Sequence, residues 1–140
     1  MPAPIDNTPT PPPAPPLNQD GLPVGSTLKP GWESSPRQVQ HAMRSATPPI
    51  LLDCRRPEEW AACRIDGALH IPMQQIEQRL DELDDIDPTR ARPIIVYCHL
   101  GVRSLRVAAT LRGHGFSNVL SMAGGIDLWS IAVDASIPRY

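Results

Sequence analysis

Lysine is almost absent from this chain: of thirteen basic residues twelve are Arg, and Lys29 is the only Lys. Fifteen acidic side chains outnumber the basic ones and leave a net charge of −2. No global positive field and no polybasic run is therefore present to bind nucleic acid or an anionic membrane surface. Aromatic residues make up 4% against a hydrophobic content of 41%, which predicts an aliphatic core. No stretch approaches the ~18 consecutive apolar residues of a membrane span. The opening Met1-Pro2-Ala3-Pro4-Ile5-Asp6 lacks the basic and apolar regions of a secretory signal. Cysteine is scarce and odd in number. Cys54, Cys63 and Cys98 show neither CxxC nor Cys/His metal spacing, which argues against a disulfide scaffold and against a metal site or cofactor. Reduced thiols in a cytoplasm are the simplest expectation.

What the chain has in excess is proline. Of 18 prolines, 8 fall within the first 20 residues of a 140-residue chain. Such a segment has little to bury and few amide donors, which predicts an extended, polyproline-like tail. A docking peptide for a partner's groove is its functional reading, and a disordered leader the plainer one. Residues 1–32 are thus expected to lie outside the folded unit, as a Pro-rich and then irregular extension. The remaining segment, 33–140, is about 110 residues, the usual size of one compact domain.

Within that domain apolar runs and amphipathic stretches alternate. Ser35-Pro36 reads as a helix N-cap followed by proline in the first turn, with Val39, Ala42, Met43 and Ala46 on one face. Ile50-Leu51-Leu52-Asp53 suits a buried strand, and Pro57 to Ala62 a short helix. Ala68 to Ile71 is a second strand candidate. Met73, Ile76, Leu80 and Leu83 predict one helix, whose end and following loop carry Asp81, Glu82, Asp84, Asp85 and Asp87 as a solvated face. Pro93 to Tyr97 is the clearest buried strand. A helix from Ser104 to His114, a strand at Asn118 to Leu120 and a last helix opened by Gly124-Gly125 complete the pattern. The expected fold is α/β: a small parallel sheet of about five strands flanked by helices on both faces.

Chemistry concentrates in Cys98-His99-Leu100-Gly101-Val102-Arg103-Ser104. A buried strand ends at a cysteine, a short turn follows, and a helix begins. In open parallel sheets ligands bind beyond the carboxyl ends of the strands. The positive end of the helix favours anions and thiolate there. Gly101 allows successive amides to curl into a cup, and Arg103 adds a planar charge at the rim. Two chemistries fit a nucleophilic Cys98 in such a cradle: sulfur transfer through a persulfide, and phosphoryl or arsenyl transfer through a thiol adduct.

The loop Cys98-x-x-Gly101-x-Arg103-Ser104 resembles the active-site loop of the rhodanese-like domains. Leu51 to Trp60, Ile65 to Pro72 and Gly124 to Trp129 are similar to that family's other motifs, in its order and spacing. The resemblance implies a sulfurtransferase in which Cys98 accepts a sulfane sulfur as a persulfide and passes it to an acceptor. It also implies that the amides of residues 99–103 stabilise the terminal sulfur, that Arg103 draws an anionic donor such as thiosulfate, and that Ser104 caps the helix. His99, Leu100, Gly101, Val102, Arg103 and Ser104 are the expected substrate-binding residues. Asp53 and Arg55 are read as structural. Four residues between Cys98 and Arg103, where phosphatases of this fold carry five, favour sulfur over phosphate chemistry. Leu100 and Val102 make the mouth apolar, so a small-molecule or protein-bound persulfide is as good a donor as thiosulfate. A regulatory, non-catalytic module partnered through the Pro-rich tail is the other reading.

Overall fold

A computed structural model describes residues 9–140. Part of the Pro-rich tail, residues 1–8, lies outside the described residues. Five parallel strands form one sheet in the order β1-β5-β4-β2-β3: β1 (Glu33–Ser34), β2 (Ile50–Asp53), β3 (Leu69–His70), β4 (Ile94–Tyr97) and β5 (Val119–Met122). Between and after them run α1 (Pro36–Met43), α2 (Pro57–Ala62), α3 (Leu80–Ile86), α4 (Val102–Gly113) and α5 (Gly125–Ala132).

Side-chain alternation along the central strands sorts the core into two layers. Ile50, Leu52, Ile94 and Val96 face one way and pack with Ile76, Leu83, Val107 and Leu111, which places α3 and α4 on that face. Leu51, Ile95 and Tyr97 face the other way and pack with Val39, Met122, Ile126 and Trp129, which places α1 and α5 there. Helices therefore cover both faces, and the carboxyl ends of β2 and β4 lie side by side, with Asp53 paired to Tyr97.

Local chemistry accounts for most boundaries. Ser35 caps α1 in a full capping box: its hydroxyl accepts from Gln38 N at 3.1 Å, and Gln38 Oε1 accepts from Ser35 N at 2.9 Å. Three elements differ from the sequence expectation. The stretch 73–83 is not one helix. Met73–Gln75 forms a 3-10 turn, pinned to the sheet by Met73 N donating to Cys54 O at 3.0 Å, and α3 starts afresh at Leu80. The break lets Ile76 and Leu83, both buried, enter the core from separate turns. The acidic run consequently lies largely within α3, where Glu82 pairs with Arg79 and Asp84 with Arg90. Helix α4 begins at Val102 with Gly101 as its N-cap, two residues earlier than the position of Ser104 suggested. β1 is a strand of two residues, Glu33 and Ser34, paired to Ser121 and Met122.

Residues 9–32 carry one isolated antiparallel bridge, Leu17 with Pro23, and the segment leads into β1. Leu22 is buried, and Trp32 packs on the edge of the core beneath the Arg112 guanidinium. Trp60 is only half-buried: it stacks on His70 and lies under Arg64.

Candidate active site

Cys98 follows directly on β4, and its Sγ lies at the mouth of α4. Gly101 N donates to it at 3.1 Å and Ser104 N at 3.4 Å, and Ser104 Oγ lies 3.3 Å away. Two amides and one hydroxyl thus converge on the sulfur at the positive end of a 12-residue helix. Gly101 makes this possible: its φ of +100° is strained for any other residue. Ser104 sits inside the first turn instead of capping it, and its hydroxyl bonds Ser121 Oγ of β5 at 2.7 Å. The cup is therefore braced by a neighbouring strand. Cys98 is 1% exposed, whereas Leu100 and Val102 are 58% and 64% exposed. The sulfur is sheltered beneath an apolar lip.

The other wall of the loop is α5. Ile126 N donates to Cys98 O at 2.9 Å and Asp127 N to His99 O at 3.2 Å. The free amides of one helix end thereby hold the carbonyls of the Cys98 loop. Gly125 permits this approach, since a Cβ there would lie 2.3 Å from His99 O and 2.5 Å from Cys98 O.

Arg103 makes a bidentate pair with Glu59 of α2, Nη1 to Oε1 at 2.7 Å and Nη2 to Oε2 at 3.1 Å. Glu59 is 7% exposed. Burial opposes its ionisation, but hydrogen bonds from Arg103 and from the Tyr140 hydroxyl outweigh that and hold the carboxyl well below the usual carboxylate range. The same bond from Glu59 raises the Arg103 guanidinium. Arg103 is thus already committed within the protein, to Glu59. Glu59 and Tyr140 were not among the residues expected at the site. Their contacts cross 44 and 81 residues of chain, and no local pattern signals them.

Behind this pair lies a second one. Arg55 and Asp53 are fully buried and paired at 2.7 Å. Arg55 also donates to Cys63 O at 2.6 Å and to Tyr140 Oη at 3.0 Å. The structural role read for Asp53 and Arg55 suits this geometry, which fixes the start of α2 and so the position of Glu59. Cys54 is buried among apolar side chains, and burial, with Cys98 and Asp53 nearby, pushes its thiol far up. Cys63 donates to Pro138 O at 3.8 Å and accepts from Arg55 at 3.9 Å. His99 stacks on Tyr140 with centroids 4.0 Å apart, and its Nε2 has no hydrogen-bond partner among the described residues.

Two clefts flank the loop. One of about 290 Å³ is lined by Cys54, Arg56, Met73, Gln74 and Arg103. The other, of about 280 Å³, passes Leu100, Gly124 and Leu128 against Pro15, Pro23 and Leu28 of the N-terminal segment. Among the described residues no three His, Cys, Asp or Glu side chains converge as metal ligands, and no helix is long and apolar enough to cross a membrane.

The chain is 39% identical over 97 residues to the thiosulfate sulfurtransferase GlpE of Haemophilus influenzae, covering 69% of this chain and 86% of that protein. It is 35% identical over 85 residues to the uncharacterized protein YqhL of Bacillus subtilis, covering 61% and 64% respectively. Other curated relatives, among them adenylyltransferase–sulfurtransferases, are spanned over only 25% to 40% of their length. A human single-domain sulfurtransferase superposes with a TM-score of 0.62 at 25% identity, covering 69% of this chain and 93% of that one. The model of the rhodanese-like domain matches residues 35–132, a span that holds four of the five strands, the Cys98 loop and both helices that frame it, and the chain belongs to the rhodanese-like domain family.

Proposed function

We propose that this chain is a sulfurtransferase that carries a sulfane sulfur on Cys98. The observation that carries the reading is the cup around Cys98 Sγ, with Gly101 N at 3.1 Å and Ser104 N at 3.4 Å. Cys98 thiolate attacks the outer sulfur of the donor. The bond from that sulfur to its former partner breaks, and the partner leaves with the electron pair, as sulfite from thiosulfate or as a thiolate from an organic persulfide. Cys98 now bears a terminal sulfur with negative charge, which the loop amides and the helix end stabilise. An acceptor nucleophile, such as a thiolate or cyanide, takes that sulfur, and Cys98 departs as thiolate.

Leu100 and Val102 at the rim, and Arg103 already paired to Glu59, support a persulfide on a small thiol or on a protein as donor beside thiosulfate. A reducing compartment such as the cytoplasm suits a mechanism that needs a free thiolate.

Intact mass before and after incubation with thiosulfate, or with an organic persulfide, tests the reading. The expected result is a gain of one sulfur, lost on adding cyanide and absent in Cys98→Ser. No gain from either donor overturns it. Turnover of an aryl phosphate would point to the phosphate chemistry that the four-residue spacing disfavours.

A further inference from the structure

Tyr140 stands where three parts of the site meet. Its ring lies flat on that of His99, the residue after Cys98, with centroids 4.0 Å apart and planes at 11°. Its hydroxyl donates to Glu59 Oε2 at 2.5 Å and accepts from Arg55 Nη1 at 3.0 Å. Glu59 grips Arg103 at the far end of the loop, and Arg55 grips Asp53 at the end of β2. One side chain therefore touches the start of the loop, the carboxylate that anchors its end, and the buried pair beneath.

The segment that brings Tyr140 there is itself fastened. Ile137 is buried against Val39, Ile126 and Trp129, and its carbonyl accepts from Ser130 Oγ at 2.6 Å. Arg139 pairs with Asp127 at 2.8 Å, on the same helical turn whose Asp127 N holds His99 O. Among the described residues His99 Nε2 has no hydrogen-bond partner. The orientation of the imidazole thus depends on the stack.

We propose that Tyr140 is a positioning residue for sulfur transfer: by stacking on His99 and bridging Glu59 to Arg55, it holds the Cys98 loop in the shape that receives sulfur. This rests on the sulfur-transfer reading above. The ring does the larger share, because it alone touches the loop. Glu59 keeps its bonds to Arg103 and Arg56 without the hydroxyl. Among the described residues the hydrogen bonds and the ring stack of Tyr140 go to Glu59, Arg55 and His99, and none joins it to Cys98, Leu100 or Val102. Its loss acts on chemistry common to every donor and leaves donor binding alone.

The full chain is compared with Tyr140→Phe and Tyr140→Leu for steady-state sulfur transfer from thiosulfate and from an organic persulfide to cyanide. Alkylation of Cys98 by iodoacetamide is followed by intact mass. Small loop displacements are expensive in rate, so Tyr140→Leu is expected to lower kcat about tenfold with both donors and leave KM within about twofold. Tyr140→Phe, which keeps the stack, retains kcat within about threefold by the same reasoning. Alkylation is expected to run about tenfold faster in Tyr140→Leu, as the sheltered thiol opens, and at the wild-type rate in Tyr140→Phe. An unchanged kcat in Tyr140→Leu overturns the proposal, even if its thermal midpoint falls. So does a rise in KM for one donor alone, which would make Tyr140 a donor contact, and so does a Phe variant no better than Leu. If the wild type transfers no sulfur from either donor, the sulfur-transfer reading fails. The hold of Tyr140 on the loop is then decided by alkylation, where equal rates in all three proteins overturn it.

Discussion

At Gly125 the last helix comes so close to the Cys98 loop that an added methyl would stand 2.3 Å from His99 O. The φ of +59° also disfavours any side chain. Neither neighbour is a flexible side-chain tip; both are backbone of the loop that presents Cys98. Gly125→Ala is therefore expected to push the loop away from α5, lengthen the bond from Ile126 N to Cys98 O, and destabilise by about 1–3 kcal/mol. Sulfur loading followed by intact mass should slow at least about tenfold, and a wild-type rate would contradict the packing described. Glu59 gives a pH prediction. Its folded-state carboxyl is held below its ordinary value, so its contribution to stability is complete above the unfolded value, about 4.3, and is lost as pH falls below it. Glu59→Gln, which cannot ionise, should flatten that acid limb in thermal melts run between pH 6 and 3, roughly the window set by an ordinary carboxyl. An unchanged acid limb would count against the role of the Arg103 pair.

Among the elements, what the sequence revealed follows what is local. Ile50 to Asp53 and Ile94 to Tyr97 are buried at every position, and continuous apolar runs of that length read as central strands. β1 was not legible. Glu33 and Ser34 have no apolar signature, and the strand exists because Trp32 O and Ser34 O accept from Ser121 N and Ala123 N at 2.8 and 2.9 Å. The split of the 73–83 stretch was equally hidden, since spacings of three and four residues survive a change from helix to turn to helix. The Cys98 loop could be read because Cys98, Gly101 and Arg103 lie close together in one short stretch of chain. Its brace of Glu59, Tyr140 and Ser121 could not, because those residues meet it only after the sheet forms. The junction of β2 and α2 carries the buried Asp53–Arg55 pair on which this brace stands. Asp53→Ala leaves a fully buried guanidinium without its carboxylate, and urea unfolding should register a loss of about 3–5 kcal/mol. A loss below about 1 kcal/mol would mean that the pair is replaceable by its neighbours.

At the scale of the whole molecule, the N-terminal segment is fastened to the folded unit at several points. Its turn is held by Asn18, whose Oδ1 accepts from Asp20 N at 2.9 Å and Leu22 N at 3.1 Å. Gln19 O accepts from Arg37 of α1 at 3.2 Å. Leu22, Trp32 and β1 come after these residues and tie the segment to the core. Deleting residues 1–20 therefore removes the turn and one edge of the cleft beside Leu100, while every partner of Cys98 Sγ remains. The lost hydrogen bonds are each worth about 1 kcal/mol net where they are sheltered and less where they meet water. A drop in thermal midpoint of roughly 3–6 °C is the expected scale for a domain of this size. Sulfur loading of Cys98 from thiosulfate should stay within about twofold of the full chain, since the geometry that sets the chemistry is untouched. Loading from a bulky protein persulfide is the sharper measurement, because it tests whether such a donor rests on Leu100 and the cleft next to it. A truncated protein that slows only with the protein donor would assign the segment to donor docking. One that slows about tenfold with thiosulfate as well would place residues 9–20 inside the catalytic unit itself.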